Sequence, residues 1–221
     1  HEYLLPTLEK LGTHYKVVFY DQKGGGRSLT SQLTYARIGL EPSVWMLEEL
    51  RKYLILGKIT LIGHSSGALL AAHYAMQYPD SVRKLILLNP VPFTRKYYQE
   101  FEATAALRLK TINPTLNRIR QTKAFLSNDP QAVSEYFREL FKAYVFDSQD
   151  VEKLNFGFSS ASAIAFWKVM ELFGENVLRQ KFNFLPELTE KLKTPTLVIH
   201  GDYDPIPTAS SKAITDAIQG A

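Results

Sequence analysis

The stretch Lys58-Ile59-Thr60-Leu61-Ile62-Gly63-His64-Ser65-Ser66-Gly67-Ala68-Leu69-Leu70-Ala71-Ala72-His73-Tyr74-Ala75-Met76 joins an apolar run, a glycine-bracketed pentapeptide and a helix-forming run without a break. Thr60, Leu61 and Ile62 carry the signature of a buried strand, and Ala68 to Met76 that of a helix packed on a sheet. A chain that leaves a strand and enters a helix within one turn strains the apex residue, and side chains two positions to either side collide with neighbouring backbone. In this reading Gly63 and Gly67 remove that collision, and Ser65 projects its hydroxyl beyond the sheet edge. The following helix aims unpaired N–H groups and a positive dipole end at the same space. Ser65 is therefore expected as a nucleophile, and the Ser66 N–H as an oxyanion donor. The plainer alternative, a glycine-flanked turn with a surface serine, does not explain the strand and helix on either side.

Moving outward, Leu4 to Leu11 reads as a short helix ended by Gly12, and Tyr15 to Tyr20 as a buried strand. A glycine-rich loop follows, Asp21-Gln22-Lys23-Gly24-Gly25-Gly26-Arg27-Ser28. Glu41-Pro42 opens a helix through Leu54 with Val44, Leu47, Leu50 and Leu54 on one face. After the elbow and its helix, Lys84 to Asn89 is a second apolar strand. Strands alternating with helices imply an α/β fold with a mostly parallel sheet and flanking helices. The alternation stops between Phe93 and Leu192, where the patterning is helical: Tyr98 to Leu109, Leu116 to Phe125, Gln131 to Tyr144, and Ser162 to Phe173. It resumes with the strand Thr196 to His200 and the turn Gly201-Asp202-Tyr203-Asp204-Pro205-Ile206-Pro207. The organisation expected is a core in two parts, residues 1–92 and 193–221, with a helical cap inserted at 93–192.

With 221 residues, 45% of them hydrophobic and 22% charged, the composition is that of a soluble globular protein. The net charge of +4 comes from dispersed cations. The densest grouping, Arg108, Lys110, Arg118, Arg120 and Lys123, reads as a solvated helical face, and no nucleic-acid-binding module accompanies it, so no nucleic-acid partner is expected. Without cysteine there is neither a disulfide nor a thiolate metal site. No apolar run reaches membrane-spanning length and the first residues do not resemble a signal peptide, so the expected setting is cytoplasmic, with no membrane partner.

The chain resembles the α/β-hydrolase superfamily, and within it the cap-bearing branch of the proline iminopeptidases. Tyr20-Asp21-Gln22-Lys23-Gly24-Gly25-Gly26-Arg27-Ser28 is similar to that branch's Asp-Gln-Arg-Gly-x-Gly-Arg-Ser loop. The elbow, Tyr78-Pro79-Asp80-Ser81-Val82 and His200-Gly201-Asp202-Tyr203-Asp204-Pro205-Ile206-Pro207 extend the likeness over nearly the whole chain. The resemblance implies that the acid of a catalytic triad follows the last strand, at Asp204, with Asp202 as the competing choice. A carboxylate there accepts the imidazole N–H and stabilises the imidazolium.

The same resemblance places the histidine base after the acid, yet histidines occur only at positions 1, 14, 64, 73 and 200. His64, His73 and His200 read as local packing or polar neighbours. The expectation is therefore a piece of a longer enzyme, with a final strand and the base beyond one end and a second oxyanion donor beyond the other. A noncatalytic binding protein on a hydrolase scaffold is the alternative from another class. The implied chemistry is acyl transfer from Ser65 to water, needing no cofactor and no metal, on a small molecule or short peptide. Serine at the apex argues against the aspartate-nucleophile branches. Gly-His-Ser-Ser-Gly departs from the Gly-Gly-Ser-Trp-Gly usual in iminopeptidases and is common in esterases, so a carboxylesterase stays open beside the favoured aminopeptidase. In the iminopeptidases cap acids hold the substrate's amine; Glu135, Glu139, Asp147, Asp150, Glu171 and Glu175 are available, as on any solvated surface. Phe156, Phe158, Phe166 and Trp167 fit either a pocket lining or a cap core.

Overall fold

A computed structural model of the chain describes residues 2–174 and 182–218. Turns of 3-10 helix, Glu2–Leu4 and Glu9–Thr13, flank α1 (Leu5–Leu8). Then come α2 (Tyr35–Ile38), α3 (Leu40–Tyr53), β1 (Ile59–His64), α4 (Ser66–Gln77) and β2 (Val82–Leu88). A helical series follows: α5 (Arg95–Leu109), α6 (Asn113–Arg120), α7 (Lys123–Leu126), α8 (Pro130–Phe141), α9 (Ser160–Phe173) and α10 (Leu185–Lys191). The described chain ends with β3 (Thr196–Ile199) and α11 (Thr208–Ala217). It divides into two compact units, one formed by residues 2–34 with Ala106–Leu172 and the other by Tyr35–Ala105 with the residues from Phe173 onward.

The second unit holds the sheet. Among the described residues its strands are parallel in the order β1-β2-β3, with Leu61, Leu85 and Thr196 in register, and Gly63, Leu87 and Val198 two residues on. Side chains in register share a face. Leu85 and Leu87 are fully buried on the face that Gly63 opens to α4. α4 is buried nearly all round, from Ala68 to Ala75, because β1 and β2 cover one side of it while α3 and α10 pack against it as well. The opposite face carries Ile62, Ile86, Leu197 and Ile199, of which Leu197 is 54% and Ile199 46% exposed. Backbone bonds from Arg95 N–H to the Phe182 carbonyl and from Phe184 N–H to the Phe93 carbonyl tie the chain entering α5 to the chain entering α10.

A buried charge joins α3 to α4. Glu48 is 4% exposed, and its carboxylate accepts two bonds from the Arg51 guanidinium at 2.8 Å and one from the Tyr74 hydroxyl at 2.6 Å. The Arg51 side chain also donates to the carbonyls of Leu56 and Gly57, which closes the turn in which Ile55 takes φ 51°. The Arg51 bonds outweigh burial and hold the Glu48 carboxyl down at about 2, and burial, reinforced by Glu48, raises the Tyr74 phenol.

In the first unit, α6 and α8 pack around Leu116, Ile119, Val133 and Phe137. Phe156, Phe158, Phe166 and Trp167 all lie with their ring centroids 5.1–6.2 Å from that of Phe137, which makes them core of this unit. The Arg120 guanidinium stacks over the Tyr136 ring and Arg108 donates to the Ala143 carbonyl; Arg108 is half-buried, whereas Lys110, Arg118, Arg120 and Lys123 are exposed. The helix expected from Leu116 to Phe125 is broken: Thr122 leaves helical geometry and its hydroxyl caps α7 by accepting from Phe125 N–H.

Tyr15 to Tyr20 is not a strand. The segment is irregular, with Tyr15 69% and Val18 41% exposed, and among the described residues no neighbouring strand supplies the ladder that extended backbone needs. The glycine loop after it folds onto Asp21, whose carboxylate accepts from Arg27 N–H at 2.9 Å. Gly26 takes φ 49°, and a Cβ there would lie 2.2 Å from that carboxylate.

Because the folded-state pKa of Glu48 lies below its ordinary 4.5, its stabilisation is present above that pH and is lost as pH falls toward about 2. Glu48→Gln should cost roughly 3 kcal/mol at pH 7 by leaving Arg51 without its counter-charge. The gap to the parent, measured by urea denaturation across pH, should close progressively in acid.

Candidate active site

The C-terminal ends of the three parallel strands meet at one edge of the sheet, and the residues singled out by sequence lie there. Ser65 follows β1 directly, with φ 54° and ψ −122°, a conformation that costs a serine about 1–3 kcal/mol and persists only when surroundings impose it. Its N–H donates to the Leu88 carbonyl at 3.0 Å, and its carbonyl accepts from Ala68 N–H at 3.0 Å and Val91 N–H at 3.2 Å. Strand β2 and the loop after it thus lock the elbow from the side. Ser66 is the first residue of α4, where a backbone N–H has no carbonyl one turn earlier in the helix to accept it.

The two glycines have different duties. A Cβ on Gly63 would lie 2.4 Å from the Gly67 carbonyl oxygen and 2.8 Å from both Ala68 Cα and Ala71 Cβ. A Cβ on Gly67 would meet nothing within 4 Å. The expectation that both glycines relieve a collision therefore holds for Gly63 only, because the helix turns the Gly67 Cα–H into open space.

Asp204 lies in the turn after β3, its N–H donating to the Gly201 carbonyl at 2.9 Å. Its carboxylate accepts from Ile206 N–H at 2.8 Å on Oδ1 and from Asn89 Nδ2 at 2.7 Å on Oδ2. Asp204 is half-buried while Asp202 is exposed, which separates the two aspartates that sequence left in competition. Asn89 was not singled out by sequence. The available signal was an asparagine at the end of an apolar strand, where it takes φ 40°, a region that asparagine enters more readily than most residues.

His200 Nε2 lies 2.9 Å from the Ile206 carbonyl, an obligate acceptor, so that nitrogen carries the proton and Nδ1 accepts from the Ser211 hydroxyl at 2.7 Å. Both ring nitrogens are thereby committed to holding the turn. His73 packs edge-on against Phe184 with its Nε2 buried and unpartnered, and burial lowers its pKa. Burial lowers that of His64 as well, while the Asp204 carboxylate pulls it back up. His14 is exposed, and His1 and Glu175 lie outside the described residues.

The acidic residues of the first unit have local duties. Glu139 pairs with Lys142, Asp150 with Lys153 and Glu171 with Lys168, Asp147 caps a 3-10 turn by accepting from Gln149 N–H, and Glu135 is exposed. Among the described residues no group of three or more histidine, aspartate or glutamate side chains is arranged to hold a metal ion.

A parallel sheet whose strands lead into a strained serine elbow and a held aspartate fits an α/β-hydrolase scaffold. A sequence profile for the alpha/beta hydrolase fold matches residues 1–217, and the chain belongs to that family. It is similar to a proline iminopeptidase of Saccharolobus solfataricus, 29% identical over 245 residues, a match covering 100% of this chain and 71% of that protein. A probable 1-acylglycerol-3-phosphate O-acyltransferase of Oryza sativa is 36% identical over 89 residues, spanning 39% of this chain and 21% of that one. Among solved structures, a meta-cleavage product hydrolase from Pseudomonas fluorescens superposes with a TM-score of 0.68 at 20% identity, covering 99% of this chain and 74% of that chain. A thermophilic esterase from Thermogutta terrifontis gives 0.64 at 20% identity with the same coverages.

Gly63→Ala should destabilise by about 3 kcal/mol through backbone collision. Gly67→Ala should leave stability unchanged or raise it by less than about 1 kcal/mol, since alanine is the better helix former. Chemical denaturation of the two variants side by side reads the difference.

Proposed function

We propose that the chain carries the nucleophile and the acid of a serine hydrolase that transfers an acyl group to water. The observation that supports this most is the strained, three-bonded backbone of Ser65 at the same sheet edge as the doubly held carboxylate of Asp204. Ser65 Oγ attacks the substrate carbonyl as an imidazole base takes its proton, and the Ser66 N–H stabilises the oxyanion. Collapse of the tetrahedral intermediate expels the leaving group, which takes the proton from the imidazolium. Water then attacks the acyl-enzyme by the same route in reverse roles. Asp204 accepts the N–H of the imidazole and stabilises its charged form. His200 is committed at both nitrogens and is not that base.

The favoured substrate is a short peptide with an N-terminal proline, in line with the full-chain similarity to a protein named as a proline iminopeptidase. The esterase among the structural neighbours and the Gly-His-Ser-Ser-Gly elbow favour a carboxylic ester as the second reading. A cytoplasmic setting accords with the sequence, and among the described residues no helix is long and apolar enough to cross a membrane.

A fluorophosphonate probe should label the full-length protein and fail on Ser65→Ala, whose kcat should fall by at least about 10⁴-fold. Labelling that persists in the variant refutes the assignment. A prolyl arylamide should be cleaved with higher kcat/KM than a short-chain nitrophenyl ester; the reverse order selects the esterase reading.

A further inference from the structure

Asn89 stands where the backbone of the nucleophile and the side chain of the acid are both anchored. The carbonyl of its predecessor, Leu88, accepts from Ser65 N–H, and its own N–H donates to the Ile199 carbonyl at 2.8 Å, prolonging the ladder between β2 and β3 one residue past the end of β2. From that fixed backbone its side-chain amide reaches the turn after β3 and donates to Asp204 Oδ2 at 2.7 Å. An ionised carboxylate only accepts, so the NH₂ side of the amide must face it. A Cβ added to Gly201 would lie 3.7 Å from the same nitrogen, an ordinary van der Waals distance, so the turn passes beside the amide.

From this geometry we infer that Asn89 is the positioning residue for Asp204, setting the plane in which the carboxylate receives an imidazole. The inference rests on the reading of Asp204 as the acid. A carboxylate held by one donor can rotate about its terminal bond, whereas donors on both oxygens fix its plane. Ile206 N–H holds Oδ1 and Asn89 Nδ2 holds Oδ2, which leaves a lone-pair position on each oxygen with a defined direction. Because Leu88 and Asn89 are consecutive, the same dipeptide locates the nucleophile's main chain and the acid's side chain. A shift of β2 then moves both together instead of pulling them apart.

A second account of Asn89 is that its φ of 40° alone requires asparagine. Asn89→Gly separates the two, since glycine takes that backbone without strain and has no amide. Loss of positioning should lower kcat by about 10²-fold with KM within about twofold of the parent. Asn89→Asp keeps the shape and the backbone tolerance but sets a second carboxylate against Asp204. The other titratable groups near Asp204 are His64 at the end of β1, His200 at the end of β3 and the exposed Asp202. Two adjacent carboxylates resist joint ionisation, so the acid limb of the kcat/KM profile should move up by about one pH unit or more.

The experiment measures both variants and Asp204→Asn in the full-length protein, with folding checked by circular dichroism. Full kcat in Asn89→Gly, or an unmoved acid limb in Asn89→Asp, overturns the inference. If Asn89→Gly does not fold, the limb of Asn89→Asp decides alone. Retained activity in Asp204→Asn shows instead that the acid has been misassigned, and the role of Asn89 falls with it. A loss of about 10³-fold or more in Asp204→Asn beside a fully active Asn89→Gly sinks only the positioning role.

Discussion

Ser65 occupies a backbone conformation that a serine left to itself would abandon, and three main-chain hydrogen bonds hold it there. Two of them come from β2 and the loop beyond it, through Leu88 and Val91. The elbow therefore depends on the sheet, since β2 and the loop after it supply two of its three bonds. The strain is small against the stability of a folded domain, but it is concentrated on the residue proposed as the nucleophile. The packing of α4 serves the same end. With Leu69, Tyr74 and its alanines buried against the strands and neighbouring helices, the helix cannot slide, so Ser66 keeps its place beside the apex.

What the sequence disclosed depended on how local the cause was. The elbow, β1, α4 and β2 were legible because each is written in a short run of residues whose spacing matches one secondary structure. Asp204 was legible through a motif, and the geometry that distinguishes it from Asp202 is a tertiary matter: only folding brings Asn89, 115 positions away in the chain, to its carboxylate. The Tyr15–Tyr20 segment has all the composition of a strand, yet a strand is a relation between two segments, and composition describes only one of them. The break between α6 and α7 turns on a single hydroxyl, that of Thr122, bonding back to the chain in place of a helical continuation.

The Glu48 cluster shows a similar limit. On the helical repeat, Glu48 sits beside Val44 and Leu47 on the buried side of α3, a position where an apolar residue is the ordinary expectation. Arg51 lies three residues on and Tyr74 on another helix, so the charge is neutralised by a local cation and hydrogen-bonded by a distant hydroxyl. Such a site is costly to leave half-made, which ties the seating of α3 to the seating of the elbow helix.

The unequal duties of Gly63 and Gly67 bear on how this motif drifts over evolutionary time. Selection on folding acts directly on the first position, where any side chain strikes backbone, but the second faces open space. On folding grounds alone, position 67 should therefore tolerate small residues in descendants of such a chain, while position 63 should not. A search pattern that insists on both glycines would then discard genuine relatives, and one anchored on the first glycine and the serine would keep them.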